Sequence, residues 1–278
     1  MTPDPAHPDR PTPAERAAPH HRVHLLGLDG TPGAALSLPL AFSAPVRPDL
    51  IQRAVVAAQT HRRQPYGTTA TAGNRHSVEW SGKGKGVART PRLMDSMRGA
   101  QAPNTVGGRP AHPPRVERIW TKKINRKERR LAFSSALAAT RDSKLATVRG
   151  HSVPEALHLP VVVDDPVEEI QKTQEARALL ERLQLWDEVE RAHAGQHLRS
   201  SGRARRRGRV RRTPRSLLVV TSGPGKALGF RNLAGVDVVP ARRLATEDLA
   251  PGGAAGRLTI FSRAAVESLR ERLGEVAP

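Results

Sequence analysis

Short apolar runs alternate with segments of helical period along most of the chain. The run at residues 23–28 predicts a first strand, which ends at the turn Asp29-Gly30. A helix is predicted from Pro48 to Arg63, because its apolar positions recur on one face and proline suits a first turn. Later apolar runs predict further strands at residues 160–163, 217–220, 236–239 and 258–261.

Three more helices are predicted from their end signals and apolar faces. Asn125 followed by Glu128 has the spacing of a capping box. Asp165 is predicted to cap the next helix, with Pro166 at its first position. Ser262 is predicted to cap the last helix, which Gly274 should end. The inward residues are predicted to be Leu131, Ala132, Ser135, Ala136 and Ala139 in the first helix, Val167, Ile170, Leu179, Leu180 and Leu183 in the second, and Ala265, Val266 and Leu269 in the third.

Helices that alternate with short apolar strands predict an α/β fold, in three layers around a largely parallel sheet. The domain is predicted to extend from residue 22 to residue 278. Residues 1–21 contain six prolines and no apolar stretch, which predicts a disordered tail. Glu168 and Lys172 are spaced as a favourable surface pair on the helix that follows Asp165.

Residues 66–114 interrupt this alternation with about fifty residues of no clear period. They contain seven Lys or Arg against two acids, Glu79 and Asp95, with glycines interspersed. So long a structureless loop inside a compact domain is usually functional or disordered. With little apolar surface to offset the entropy of ordering, we expect this extended loop to become ordered against a polyanion, with nucleic acid the leading candidate.

Charge strengthens the interpretation as a nucleic-acid-binding protein. The net charge is +20, and nine arginines lie within residues 199–215. Acids are concentrated in residues 164–190, as expected if one side faces RNA and the other faces solvent. The predicted RNA-binding residues are Arg62, Arg63, Arg75, Lys83, Lys85, Arg89, Arg92, Arg98, Arg109, Arg203, Arg205, Arg206, Arg207, Arg209, Arg211 and Arg212.

Other classes of function have little support. No apolar run is long enough to span a bilayer, so no membrane partner is expected. The chain has no cysteine, and His20, His21 and His24 have no carboxylate nearby, so no protein-bound metal is expected. Aromatic residues are only 3% of the chain, which weakens any interpretation based on stacking of unpaired bases.

A glycine-rich turn at residues 223–229 is the one feature that suggests an enzyme. It follows an apolar strand, as phosphate-binding loops do. Ala227 stands where a Walker loop needs Ser or Thr, and Leu228 stands where the dinucleotide pattern needs its third glycine. A strand-to-turn connection explains this turn better, and no catalytic residue is predicted. An RNA-acting α/β enzyme remains a minor alternative, which nucleotide binding would test.

Several motifs, in order, resemble the universal large-subunit ribosomal protein number four family in its archaeal/eukaryotic form. They span about residues 23–273. They read WSGKGKGVARTPR (80–92), GRPAHPP (108–114), KERRLAFSSALAAT (127–140), RGH (149–151), PVVV (160–163), KTQE (172–175), RNLAGVD (231–237) and TEDLAPGGA (246–254).

The resemblance implies a structural constituent of the large subunit that binds ribosomal RNA and supports early assembly in the cytoplasm. Its loop would help line the nascent-peptide exit tunnel, next to the other tunnel-constriction protein, with magnesium held by RNA and not by the protein. The lack of a long C-terminal extension favours an archaeal source. A free RNA-binding regulator remains the main alternative. The tunnel-loop residues so implied are Gly82, Gly84, Gly86, Arg89, Pro91 and Arg92.

Overall fold

The computed structural model describes residues 22–154 and 157–274, and these residues divide into two compact units. One, here called the α/β unit, comprises the described chain up to Ala58 and from Lys123 onward. The other, here called the loop unit, is Gln59–Lys122. The predicted tail at residues 1–21 lies outside the described residues.

A six-stranded sheet forms the centre of the α/β unit. Its order is β2-β1-β5-β10-β8-β9, and only the β1–β2 pair is antiparallel. The prediction of a largely parallel sheet is therefore confirmed. The strands of this sheet are β1 (Arg22–Leu26), β2 (Pro32–Ser37), β5 (Val161–Val163), β8 (Leu218–Thr221), β9 (Asp237–Pro240) and β10 (Thr259–Ser262).

Successive side chains on the inner strands enter two separate apolar cores, as the two-residue period of a strand requires. Val162 packs in one core, whereas Val161 and Val163 pack in the other. The first core contains side chains of α1 (Pro48–His61), α2 (Arg126–Ala139), α7 (Thr246–Leu249) and α8 (Arg263–Leu273). The second contains side chains of α3 (Ser143–Val148), α4 (Thr173–Arg182) and α5 (Trp186–Ala194). Helices on both faces make the predicted three layers.

The last helix agrees with its sequence signals. The Ser262 hydroxyl accepts a hydrogen bond from the Ala265 backbone N–H, and Gly274 ends α8 with φ 76°. Ala265, Val266 and Leu269 are buried, as predicted.

Two predicted caps are wrong. Asn125 precedes α2 but makes no side-chain cap bond, and Glu128 accepts a hydrogen bond from Arg53 instead. Asp165 is not a helix cap. Asp164 caps a 3₁₀ helix at Asp165–Glu169, and α4 begins separately at Thr173.

Other parts of the α/β unit differ from the prediction. β2, α3, α5 and α7 were not predicted, and Leu131 of α2 is exposed where a buried residue was expected. Glu168 is buried and forms no surface pair with Lys172. The remaining short elements of the α/β unit are α6 (Gly202–Arg206), β6 (His197–Leu198), β7 (Arg211–Arg212) and 3₁₀ helices at Leu40–Ser43, Leu228–Phe230 and Pro251–Gly253.

Candidate nucleic-acid interface

The loop unit contains a short hairpin where the sequence predicted no regular structure. β3 (Val78–Trp80) pairs antiparallel with β4 (Pro91–Leu93), and apart from the end of α1 the rest of the unit consists of turns and irregular chain. The Gln101 side-chain amide donates to the His76 carbonyl at 2.6 Å. This bond joins the segment before β3 to the segment after β4. An extended segment thus has a defined path that backbone and amide hydrogen bonds hold.

Gly82, Gly84 and Gly86 give the connection between β3 and β4 its conformation. Their φ values are 68°, 81° and 66°, in the left-handed region that favours glycine. A Cβ added at any of the three would have no neighbour within 4 Å. These glycines are therefore needed for the backbone turn and not for close packing, and the turn is open to an external partner.

Five cations of the loop unit have no counter-charge among the residues that the structure describes. Their side chains are exposed and make no salt bridge with any residue in the described part of the chain. In the free protein these positive charges repel one another, whereas a bound polyanion would neutralise them. The residues concerned are Lys83, Lys85, Arg89, Arg98 and Arg109.

Two other predicted RNA-binding arginines are partly engaged within the loop unit. Arg92 is half-buried and donates to the Met97 carbonyl at 2.8 Å, and Arg75 donates to the Thr71 hydroxyl at 3.2 Å. Of the predicted tunnel residues, Pro91 is buried in the hairpin. The side chain of Arg92 therefore supports the hairpin as well as adding charge.

Aromatic residues meet near the two ends of the loop unit. The rings of Tyr66 and Trp120 stack with centroids 5.5 Å apart and planes 22° apart. The guanidinium carbons of Arg63 and Arg118 lie 4.2 and 4.5 Å from the Trp120 ring centroid. This cluster was not predicted, because aromatic residues are only 3% of the chain and base stacking was therefore given little weight. Its signal was the position of the two rings on either side of the loop.

The arginine-rich segment forms a second exposed basic surface, in the α/β unit. β6 pairs antiparallel with β7, and α6 lies between them. Arg205 donates to the Arg199 carbonyl at 2.6 Å. The other predicted arginines here are exposed and form no salt bridge within residues 22–154 and 157–274. They are Arg203, Arg206, Arg207, Arg209, Arg211 and Arg212.

Comparison with known proteins identifies the family. The model of the ribosomal protein L4/L1 family matches residues 36–272. The chain belongs to this family. A large ribosomal subunit protein uL4 from Methanopyrus kandleri is 47% identical over 90% of this chain and 98% of its own length. The protein of the same name from Halorubrum lacusprofundi is 47% identical over 88% of this chain and 97% of its own length. That from Pyrobaculum aerophilum is 46% identical over 91% of this chain and 90% of its own length.

Membership in the L4/L1 family confirms the resemblance seen in the sequence motifs. It gives the chain a structural role in the ribosome and not that of an enzyme. The relatives named above are archaeal, which agrees with the predicted source.

The glycine-rich turn agrees with a role other than catalysis. The Lys226 ammonium lies 2.5 Å from a carboxylate oxygen of Glu168 and donates to the Ser222 hydroxyl at 2.8 Å. Ser262 also donates to Glu168 at 2.6 Å. Burial acts to raise the pKa of Glu168, but hydrogen bonds from Lys226, Ser262 and Ser222 lower it below its ordinary value. The lysine that a phosphate would need is thus already paired.

A second buried carboxylate, which sequence reasoning missed, links α5 to the segment that follows α3. Glu188 accepts hydrogen bonds from His151 at 2.7 Å, from the Ser152 backbone at 2.9 Å and from two nitrogens of Arg191. Burial acts to raise the pKa of Glu188, and these partners lower it below the usual range. Arg191 lies in the same helix as Glu188, but His151 and Ser152 are 37 and 36 residues away along the chain, so no local pattern predicts the cluster.

The described residues contain neither a metal-binding cluster nor a membrane-spanning helix. Within the described ranges, no group of three or more His, Asp or Glu side chains is placed to hold a metal ion. His20 and His21 lie outside those ranges, and the absence of a protein-bound metal stays a prediction. None of the helices in the described part of the chain is long and apolar enough to cross a bilayer.

Proposed function

We propose that this protein binds large-subunit ribosomal RNA through two basic surfaces and reaches into that RNA with its loop unit. One observation carries the proposal. The loop cations Lys83, Lys85 and Arg89 are exposed and make no salt bridge in the described part of the chain, whereas the exposed cations Lys172, Arg177 and Arg263 of the α/β unit each lie beside a carboxylate. RNA phosphates would supply the missing anions, and arginine forks suit them.

The same proposal includes the finer roles. The loop unit would help line the nascent-peptide exit tunnel from Gly82 to Arg92, so its neighbours would be the nascent peptide and other large-subunit proteins, including the other tunnel-constriction protein. Binding would occur early in subunit assembly, in the cytoplasm. Any magnesium would be ligated by RNA. Recognition would be of backbone shape more than of base sequence, since the deep groove of folded RNA hides its base edges.

A charge-matched pair of variants tests RNA binding. The triple variant K83Q/K85Q/R89Q removes three unpaired loop cations. The triple variant K172Q/R177Q/R263Q removes three exposed cations that already have carboxylate partners. Both change the net charge equally, so a difference between them reports position.

With deproteinised archaeal large-subunit RNA as the probe, we expect the loop variant to bind more weakly. The slope of log affinity against log salt concentration should fall by about two to three, because up to three fewer phosphates are neutralised. The control variant should keep the slope of the parent protein. Equal slopes in both variants would show that the loop does not contact phosphates.

Deletion of residues 73–109 tests the assembly role. Gly73 lies so close to Arg109 that an added Cβ would come within 2.5 Å of the Arg109 Cα, so the chain ends left by the deletion are near each other. The full chain should sediment with large subunits at moderate salt, and the deletion variant should do so poorly. If the two proteins enter subunits equally, the loop is not needed. If the full chain stays in the light fractions, the protein is a free regulator.

A further inference from the structure

We infer that Tyr66, Trp120, Arg63 and Arg118 form a binding site for one unpaired RNA nucleotide. The base would stack on the exposed Tyr66 ring, and the two guanidiniums would hold its phosphate. The inference rests on the proposed RNA binding and adds a second kind of recognition to it, because a stacked base must be unpaired.

The exposed ring is the first observation. Tyr66 is the only tyrosine of the chain and is 58% exposed, although its ring already stacks on Trp120. An aromatic ring held flat by a neighbour loses little entropy when a base stacks on it. Bases stack on aromatic side chains regardless of sequence, since each base has a π face.

The two arginines are the second observation. Arg63 and Arg118 place their guanidiniums over the Trp120 ring and make no salt bridge or side-chain hydrogen bond with the residues that the structure describes. A guanidinium that stacks by its face keeps the donors on its edge for a phosphate fork. Trp120 therefore orients two phosphate-binding groups before any ligand is present.

The surroundings favour a nucleotide over other ligands. The chain segments next to the two rings also carry Arg62, Arg115 and Lys122, against the single acid Glu117. An anionic group and a flat π system on one ligand are the chemistry that such a site recognises.

The cluster is built before binding. The Lys122 backbone N–H donates to the Thr60 hydroxyl at 3.1 Å, which joins the two ends of the loop unit beside the rings. Stacking and charge therefore act together at a place that this hydrogen bond fixes within the loop unit. An internal clasp that merely closes the loop would use the same contacts, so the experiment must separate the two roles.

The experiment uses the full chain with W80F/W186F, which leaves Trp120 as the only one of three tryptophans. The probes are a single-stranded RNA of twelve adenosines and a twelve-residue abasic ribose-phosphate of equal charge. We expect adenosine RNA to quench Trp120 fluorescence and to bind about tenfold more tightly than the abasic probe. Filter binding to the parent chain checks that W80F/W186F has not altered affinity.

Variants of the ring and of the arginines then divide the contributions. Y66L should remove the preference for the base-bearing probe, and Y66F should keep it. R63Q/R118Q should weaken the binding of both probes equally. It should also lower the slope of log affinity against log salt concentration by about one to two.

The results that overturn the inference are distinct from failure of the proposed function. If Y66L weakens the binding of both probes equally, or if the parent chain binds both probes equally, the cluster only closes the loop and does not bind a nucleotide. In either case the chain still binds RNA and the proposed function stands. If neither probe nor deproteinised large-subunit RNA binds, the RNA-binding function itself is wrong, and the nucleotide site with it.

Discussion

The buried carboxylates of the α/β unit have several partners within the protein, whereas the exposed cations of the loop unit do not. In the α/β unit, Glu168 and Glu188 are buried and each accepts several hydrogen bonds from cations and hydroxyls or backbone. In the loop unit, Lys83, Lys85 and Arg89 are exposed without a carboxylate partner in the described chain. The buried carboxylates of the α/β unit are satisfied within that unit, whereas the loop cations, like the exposed arginines at residues 203–212, have no counter-charge in the described chain.

Because of this difference, the exposed charges of the loop can be changed without loss of the hydrogen bonds that stabilise the α/β unit. Buried charges contribute to specificity of the fold only when all their partners are present. Exposed charges contribute little to stability, so the loop can carry many of them at small cost. Stability and RNA binding should therefore respond to different substitutions, and the following predictions test that separation.

The largest effect is expected from Glu188→Gln. The amide cannot neutralise Arg191 and accept from both His151 and the Ser152 backbone as the carboxylate does. Because the site is buried, the free energy of unfolding should fall by about 3 kcal/mol. Urea denaturation measures it. Glu181→Gln, which breaks an exposed pair with Arg177, is the control and should change stability by less than about 0.5 kcal/mol. Equal losses would remove the contrast between buried and exposed pairs.

A smaller effect is expected from acid. The pKa values of Glu168 and Glu188 are lowered in the folded chain. Their contribution to stability is therefore complete above the unfolded pKa, about 4.3, and is lost as pH falls through the lower folded values. Thermal unfolding followed from pH 6 down to pH 3 should show a falling midpoint. Glu188→Gln should show a flatter dependence, and an unchanged slope in this variant would contradict the role given to Glu188.

The smallest effect is expected from the loop cations. K83Q/K85Q/R89Q should leave the free energy of unfolding within about 0.5 kcal/mol per site of the parent value, since these side chains have no partner in the described protein to lose. The same variant should weaken RNA binding clearly, as set out above. A large loss of stability would show that the loop charges are engaged within the protein and would end the separation between the two units.

Elements with strong local signals were predictable from sequence. Ser262 and Gly274 set both ends of α8, because a cap and a left-handed terminus depend on neighbouring residues only. The valines at residues 161–163 indicated a buried strand for the same local reason. The glycines and cations of the loop predict an RNA interface from local sequence alone, and that interface stays a prediction.

Elements that depend on distant partners were not predictable. Glu128 and Glu168 have the local spacing for a capping box and a surface pair, but Arg53 and Lys226 bind them from elsewhere in the chain. β2 forms although its residues show little apolar alternation, because it pairs with β1. The stacked Tyr66 and Trp120 meet only because the loop returns to its starting point. Contacts of this kind override local preference.

The pairing of Lys226 with Glu168 has a consequence for how this architecture is used. Glu168, Ser222 and Ser262 follow or end the parallel strands β5, β8 and β10 at their carboxyl ends, where open α/β sheets commonly keep a crevice for small molecules. Here the protein's own side chains fill that position and satisfy one another. The place that a small molecule would take in an open α/β sheet is thus occupied by the protein itself, and the lysine that could meet a phosphate there is already neutralised.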